Sequence, residues 1–252
     1  IDGRIGYVGG MNVADRYIHG FEWGCWRDTH ARIEGKGVQG LQSAFLLDWY
    51  FVSQTLITSR KYFPPLETYG TIPMQIVDSG PLKEESGIPF GILQAIYNAQ
   101  KSIFIQTPYF LPPDAMIKAL QAAAIRGVDV RIMLSKRSDL PLVQLASRSY
   151  VKDMLEIGVK MYFYKKGFLH SKLMVFDDSL TLVGSANFDS RSLEQNFEID
   201  AFIYDKNIGK QARSIFIADQ HDCEYIFLKN WMKRPRIERF LESFVRLFVP
   251  LL

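Results

Sequence analysis

The chain has little of what usually declares a chemistry early. Among 252 residues there are two cysteines, Cys25 and Cys223. That is too few for a disulfide framework or a spaced metal motif, and it fits a reducing compartment. No apolar run approaches the ~18 residues needed to cross a bilayer, and no signal-peptide pattern opens the chain. Charge of one sign is also scarce: 30 Lys and Arg face 27 Asp and Glu, a net +3. So mild a balance gives a nucleic-acid groove no support, and no nucleic-acid partner is expected. Apolar side chains are plentiful, 48% of the chain with 13% aromatic. That composition belongs to a folded globular protein with one large or two smaller domains.

Only four histidines are present, and one stands in a pattern that the others lack. His170, Lys172 and Asp177 are spaced H-x-K-x4-D and lead into Gly184-Ser185-Ala186-Asn187. The apolar Leu173, Val175 and Phe176 and the β-prone Thr181 to Val183 predict two strands, with Asp177-Asp178-Ser179 as the turn between them. Alternation along a strand puts His170 and Lys172 on one face. An imidazole beside an ammonium suits an anionic substrate, one group for nucleophilic or proton-transfer work and the other for binding charge. His19 and His221 lack the lysine and read as ordinary surface histidines. His30 lies in the run Trp26-Arg-Asp-Thr-His30, near the expected site.

The second half of this pattern occurs twice. Asp2 to Gly9 repeats the seven-residue step from Asp177 to Gly184, and Asp2 to Asn12 repeats the ten-residue step from Asp177 to Asn187. The constant offset predicts that Asp2 ends a first H-x-K-x4-D whose His and Lys lie upstream of a truncated N-terminus. The chain is therefore expected to hold one complete half-site and the tail of another.

Periodicity fills in the rest. A strand is predicted over His30 to Ile33. A helix is predicted over Lys36 to Gln54, with Val38, Leu41, Phe45, Leu46, Trp49 and Tyr50 as a core stripe. A proline-bearing linker follows over residues 61–73. It separates residues 1–60, the C-terminal part of a first domain, from a second domain over 74–252. There, strands at Met74–Val77, Ser102–Gln106, Val128–Leu134, Val159–Tyr164 and Glu198–Tyr204 alternate with helices at Phe90–Gln100, Asp114–Arg126 and Leu142–Ile157. Alternation of this kind predicts an α/β sandwich whose sheet, largely parallel or mixed, is flanked by helices, and the repeat predicts two pseudo-symmetric halves with the first incomplete. Pro235 to Val249 predicts an amphipathic helix whose phenylalanine and leucine stripe either docks on the domain's own core or lies in a lipid interface.

These residues resemble the phospholipase D superfamily, whose signature is a duplicated H-x-K-x4-D followed by G-S/G-x-N. Within it the chain is similar to the bacterial cardiolipin synthases. That closer match is carried by Gly9-Gly-Met-Asn12, the Trp26–His30 run, Thr107-Pro-Tyr-Phe-Leu-Pro112, Gly184 through Ser192, Asn196-Phe-Glu198 and Pro250-Leu-Leu252. The resemblance implies a phosphatidyltransferase that makes cardiolipin from two phosphatidylglycerol molecules through a phosphohistidine. The same machinery serves a hydrolytic phospholipase D or a nuclease, and half a catalytic pair on its own would leave a binding-only polypeptide. The implied catalytic group is His170, Lys172, Asp177 and Glu198. His170 acts as acid and base, Glu198 orients it, and Asp177, like Asp2, fixes a turn more than it catalyses. Lys172, Ser185, Asn187 and Asn12 would bind phosphate. Asp28 would orient the upstream His, with Glu22 as its rival for that part. Tyr109 and Phe110 either line a lipid entrance or pack a loop. No cofactor or metal is implied. The implied partners are the phospholipid and a membrane surface, with the protein at a bacterial cell membrane and its catalytic domain on the cytoplasmic side.

Overall fold

The computed structural model describes residues 1–65, 69–80 and 87–249. Residues 66–68 of the expected linker and the closing Pro250-Leu-Leu252 lie outside them. An eight-stranded sheet dominates. Across it run Cys223–Ile226, Lys160–Tyr164, Asp129–Ser135, Ser102–Gln106, Leu173–Phe176, Leu180–Gly184, Glu198–Ile203 and Met74–Ser79. Asp129–Ser135 is parallel to both of its neighbours, and every other neighbouring pair is antiparallel. Parallel neighbours need a crossover, supplied here by the helix Asp114–Ile125 and by the pair Pro141–Ser149 and Val151–Glu156. The two motif strands need only a tight turn, and they sit at the centre.

Layers on both faces bury that centre. Met174, Phe176, Leu182 and Phe202 pack with Ile88, Ile92 and Ile96 of the helix Gly87–Asn98. The alternate residues Leu173, Val175 and Val183 pack on the other face with Phe104, Met133, Ala212 and Phe216. The two-residue period of a strand divides one tetrapeptide, Leu173–Phe176, between two cores.

The N-terminal segment is joined to the rest of the chain at two places. Ile5–Gly9 pairs with His30–Glu34, and Val8, Ile33 and Val38 pack on Ala201 and Ile203. Further along, Cys25–Arg27 pairs in parallel with Gly167–Leu169, and the amide of His170 donates to the carbonyl of Arg27 at 2.8 Å. A paired guanidinium fastens the seam: Arg27 donates through Nε to Asp219 Oδ1 and reaches Oδ2 through Nη2, both at 2.9 Å.

Four of the described elements differ from expectation in ways that bear on packing. The helix over 142–157 is interrupted at Tyr150, whose amide makes a tighter 3₁₀-type bond to Ser147. Tertiary packing holds that side chain, with Phe110 at its edge and the Arg246 guanidinium 4.2 Å from its ring centre. The helix Gly37–Ser53 has its expected stripe in the wrong environment: Val38 is buried, but Phe45, Trp49 and Tyr50 are exposed. The helix Lys206–Gln220 was not predicted, although Asp205 caps it through the amides of Asn207 and Ile208 and Ile208, Ala212 and Phe216 recur along it. The C-terminal helix, Arg236–Arg246, docks on the core through Val245 and the buried Glu242 and leaves its phenylalanine stripe outside.

Candidate active site

The half-site is built at the end of the motif hairpin. Asp177 and Asp178 turn that hairpin with φ of 53° and 52°, a left-handed pair that aspartate tolerates better than most residues. The repeat has the same backbone at Asp2 and Gly3, with φ of 52° and 65°. Asp177 stands at the far end of the strand from His170. Its carboxylate accepts from the amides of Gln100, Lys101 and Ser102 at 2.7–2.8 Å. It anchors the turn, the part expected of it, away from the His170 ring.

His170, Ser171 and Lys172 lie in the extended link between Gly167–Leu169 and Leu173–Phe176, not in a strand as expected. All three are buried. Lys172 Nζ sits over the imidazole, 2.9 Å from each ring nitrogen, and donates to the His170 carbonyl at 2.7 Å. Nδ1 of His170 lies 2.9 Å from Asp28 Oδ2 and 3.3 Å from the Tyr17 hydroxyl. Trp26 and Phe168 close the ring in, with centroids at 4.9 and 5.7 Å.

The carboxylate at the His170 ring is thus Asp28, where Glu198 was expected. Glu198 accepts instead from the Ser185 hydroxyl and from Asn196. The reason is a symmetry that crosses between halves. In the strand pairing Val8 faces Ala31, while in the large sheet Val183 faces Ala201. Counting back three residues in each makes Asp28 the counterpart of Glu198, so Glu22 has no such claim. A carboxylate of the N-terminal segment thus reaches the ring of His170. A close approach shows the same register. A Cβ on Gly184 would strike Asp200 Oδ1 and the Ile199 carbonyl, and one on Gly9 would strike His30 Nδ1 and the Thr29 carbonyl. Gly10 leaves room for the site itself, since a Cβ there would meet the Lys172 side chain and both Asp28 oxygens at 2.7–2.9 Å.

Electrostatics follow from burial and from two cations' worth of donors in one place. Burial pushes the His170 imidazole below its ordinary range and Lys172 adds to this, while Asp28 opposes both. The Lys172 ammonium is pushed down to about 8, again by burial, with Asp28 and Glu198 opposing. Glu198 and Asp189 are raised by burial. Burial is the leading cause of each shift, and an anion beside His170 and Lys172 would oppose it for those two groups. A phosphodiester placed against Lys172 would restore both cations.

The remaining expected phosphate ligands are close by in part. Asn187 Nδ2 donates to Ser192 at 3.1 Å, and its buried Oδ1 has no partner. Exchanging the two amide atoms lets Ser192 donate to the oxygen and frees Nδ2 for a phosphate oxygen. Ser185 is engaged by Glu198, and Asn12 is exposed beside Tyr17. Asn187 and Asp189 line a hollow of about 140 Å³ together with Tyr109, whose hydroxyl donates to Asp139 at 2.6 Å. Phe110 is buried and stacked on Phe188. Sequence reasoning missed Tyr17, Trp26 as a wall of the His170 pocket, and Asp200. Only the nearness of Trp26 to Asp28 hinted at any of them.

Among the described residues, no group of three or more His, Cys, Asp or Glu side chains is placed to hold a metal ion. The family model for "Cardiolipin synthase, PLD-like domain" matches residues 92–220. The chain belongs to this PLD-like family. Its relatives include cardiolipin synthase 2 of Staphylococcus epidermidis and a cardiolipin synthase of Staphylococcus aureus, each 43% identical over the whole chain. The chain spans 52% of either relative, about half their length. Among solved structures, phosphatidylserine synthase of Haemophilus influenzae covers the whole chain with a TM-score of 0.74 at 12% identity, over 67% of its own length. A phospholipase D family member, Nuc, from Salmonella typhimurium covers 62% of the chain and 99% of itself, with a TM-score of 0.54 at 24% identity. At such identities these two bear on the fold alone, and the PLD-like sandwich with its large mixed sheet is the fold expected from sequence.

Proposed function

We propose that this PLD-like chain supplies the second half-site of a phosphatidyltransferase, which joins two phosphatidylglycerol molecules into cardiolipin and glycerol. One observation carries the reading: the His170 ring is held by a carboxylate from the other half, Asp28, with Lys172 2.9 Å away. The same exchange assigns Glu198 to the histidine of the first half-site. Glu198 borders a cavity of about 460 Å³ that is also lined by Gly9, Met11 and His30 of the N-terminal segment.

The chemistry then runs in two displacements. The first-half histidine attacks phosphorus of one phosphatidylglycerol, and the P–O bond to the departing glycerol breaks as His170 gives that oxygen a proton. The terminal hydroxyl of a second phosphatidylglycerol then attacks the phosphohistidine, the P–N bond breaks, and its proton goes to His170. Lys172 and the freed Asn187 amide balance charge on the phosphoryl oxygens. Asp28 keeps the ring's Nδ1 occupied, so that Nε2 faces the reacting oxygen. In this reading the lipid substrate brings the protein to a bacterial membrane, with the catalytic domain on the cytoplasmic side. No helix among the described residues is long and apolar enough to cross one.

The test uses the chain together with the segment bearing the first half-site, given labelled phosphatidylglycerol with and without His170→Ala. Cardiolipin plus glycerol from the unsubstituted protein, lost in the variant, supports the reading. Phosphatidic acid as the main product makes the protein a hydrolase, and activity that survives the substitution removes His170 from the mechanism.

A further inference from the structure

We infer that the C-terminal helix is a bilayer-docking surface, its phenylalanine face entering the headgroup boundary of an anionic phospholipid membrane. The inference rests on the lipid-transfer reading for the presence of such a surface. An amphipathic helix on a globular core normally turns its apolar stripe inward. Here Val245 packs on the core beside Glu242, which is 3% exposed and held by Arg148 Nε at 2.9 Å and by two nitrogens of Arg234. Arg246 adds an ion pair to Asp153 at 2.7 Å. These contacts fix the helix with its stripe to solvent: Ile237, Phe240, Leu241, Phe244, Leu247 and Phe248 are 43–74% exposed. Phe240, Phe244 and Phe248 form a ladder along it, with centroids 6.3 and 5.3 Å apart.

Charge says what covers this face. Residues 229–249 hold six basic side chains and two acidic ones, a net +4 in a chain whose total is +3. Lys229, Lys233 and Arg236 among them are exposed. A hollow of about 420 Å³ beside the stripe is lined by Arg148 and Arg234, both paired to Glu242 in the same wall, and by Lys152, Arg236, Arg239 and Phe240. Guanidinium groups next to an apolar ridge match phosphates next to acyl chains. A second copy would bring the same positive charge against itself. Position agrees as well: Val249, one residue past the ladder, lines the hollow that Tyr109, Asn187 and Asp189 share. A lipid met by the helix is therefore met beside the motif loop.

The experiment is co-sedimentation of the 252-residue chain with vesicles of phosphatidylcholine alone or mixed with phosphatidylglycerol. Unsubstituted chain, the pair Phe240→Gln/Phe244→Gln, and Arg236→Gln are compared, with matching far-ultraviolet circular dichroism as the folding check. The expected result is preferential binding to the phosphatidylglycerol vesicles, weakened on the order of tenfold by the phenylalanine pair. Arg236→Gln should shrink the preference for the anionic vesicles. Equal binding by the phenylalanine variant overturns the inference, as does no vesicle binding, or a phenylalanine-dependent dimer on size exclusion without it. Binding needs no turnover. Intact vesicle binding, with no transfer between dispersed short-chain lipids by the chain joined to the first half-site, would sink the transferase reading and spare the docking surface.

Discussion

Two helices occupy the same place in the repeat and meet opposite fates. Lys206–Gln220 follows the strand that pairs with the second motif hairpin, and it buries Ala212 and Phe216, the latter stacked 5.0 Å from Phe104. Gly37–Ser53 follows the corresponding strand, His30–Glu34, yet of its seventeen residues only Val38 is buried. Phe45, Leu47, Trp49, Phe51 and Val52 are 46–83% exposed. The first helix buries its stripe on Phe104, Met133 and Tyr162 of the large sheet, whereas the second touches Ile33, Met74 and Ile76 through Val38 and Leu41 and leaves Phe45, Trp49 and Tyr50 of its stripe uncovered among the described residues. Helical periodicity specifies a face and is silent about whether anything is present to cover it.

The largest expected effect tests whether the halves exchange carboxylates. With the first half-site present, Asp28→Asn and Glu198→Gln should each lower kcat on the order of 10²- to 10⁴-fold, because each disorients one histidine. Asp28 holds the His170 pKa up against burial and Lys172. Removing its charge lowers that pKa further, so the limb of the pH–rate profile that reports His170 moves to lower pH. An unmoved limb would show that Asp28 does not serve His170.

Next in size is the contrast between the helices themselves. Phe216→Ala should cost about 3–5 kcal/mol, the range for an aromatic lost from a packed core. Phe45→Ala in this chain should stay within about 0.5 kcal/mol, as for an exposed site. Chemical denaturation measures both. If the first-half layer covers the Gly37–Ser53 helix, Phe45→Ala becomes as costly as Phe216→Ala once that half is present. If it stays silent there, the equivalence of the helices fails.

Much of the site was legible before the fold, and the boundary of that legibility is physical. The motif hairpin is local: alternating apolar residues and an Asp-Asp turn declare it within a dozen positions, and the offset of 175 residues placed Asp2, Gly9 and Asn12. The His170–Asp28 contact spans 142 residues and crosses from one half to the other. Proximity in sequence pointed to Glu198, which belongs to the same half. Tyr17 reaches Nδ1 from a four-residue helix, Arg16–His19, too short to leave a periodic trace. Tyr150 interrupts its helix for the sake of contacts with Phe110 and Arg246, which no local propensity records.

A smaller effect separates the two turns. Asp177 satisfies three amides, so Asp177→Ala leaves them without a carboxylate and puts alanine at φ 53°. The expected cost is about 2–4 kcal/mol, read from a denaturation midpoint. Asp2→Ala at the pseudo-equivalent exposed turn should cost well under about 1 kcal/mol, since it has only the backbone preference to lose. Equal costs would mean that the turn conformation, not the amide cradle, is what the aspartate supplies.

The last difference is chemical and depends on pH. Behind Gly9 stands His30, and behind Gly184 at the same register stands Asp200. Asp200 is buried, accepts from the Ala186 amide at 3.2 Å, and is pushed up to about 7 by burial with Glu198 adding to it. A carboxyl raised in the folded state binds more protons there than in the unfolded chain, where it titrates near 3.8. Its contribution to stability is fully present below the unfolded pKa and is lost as pH rises through about 7. Asp200→Asn mimics the protonated form at every pH. Its melting temperature relative to the unsubstituted chain should therefore climb between pH 5 and pH 8, on the order of a few degrees. Every other titrating group is common to both proteins and largely cancels from the difference. A gap that stays flat across that range would mean that Asp200 is already ionised at pH 5, with the Ser185 and Ala186 amides outweighing the cost of burying its charge.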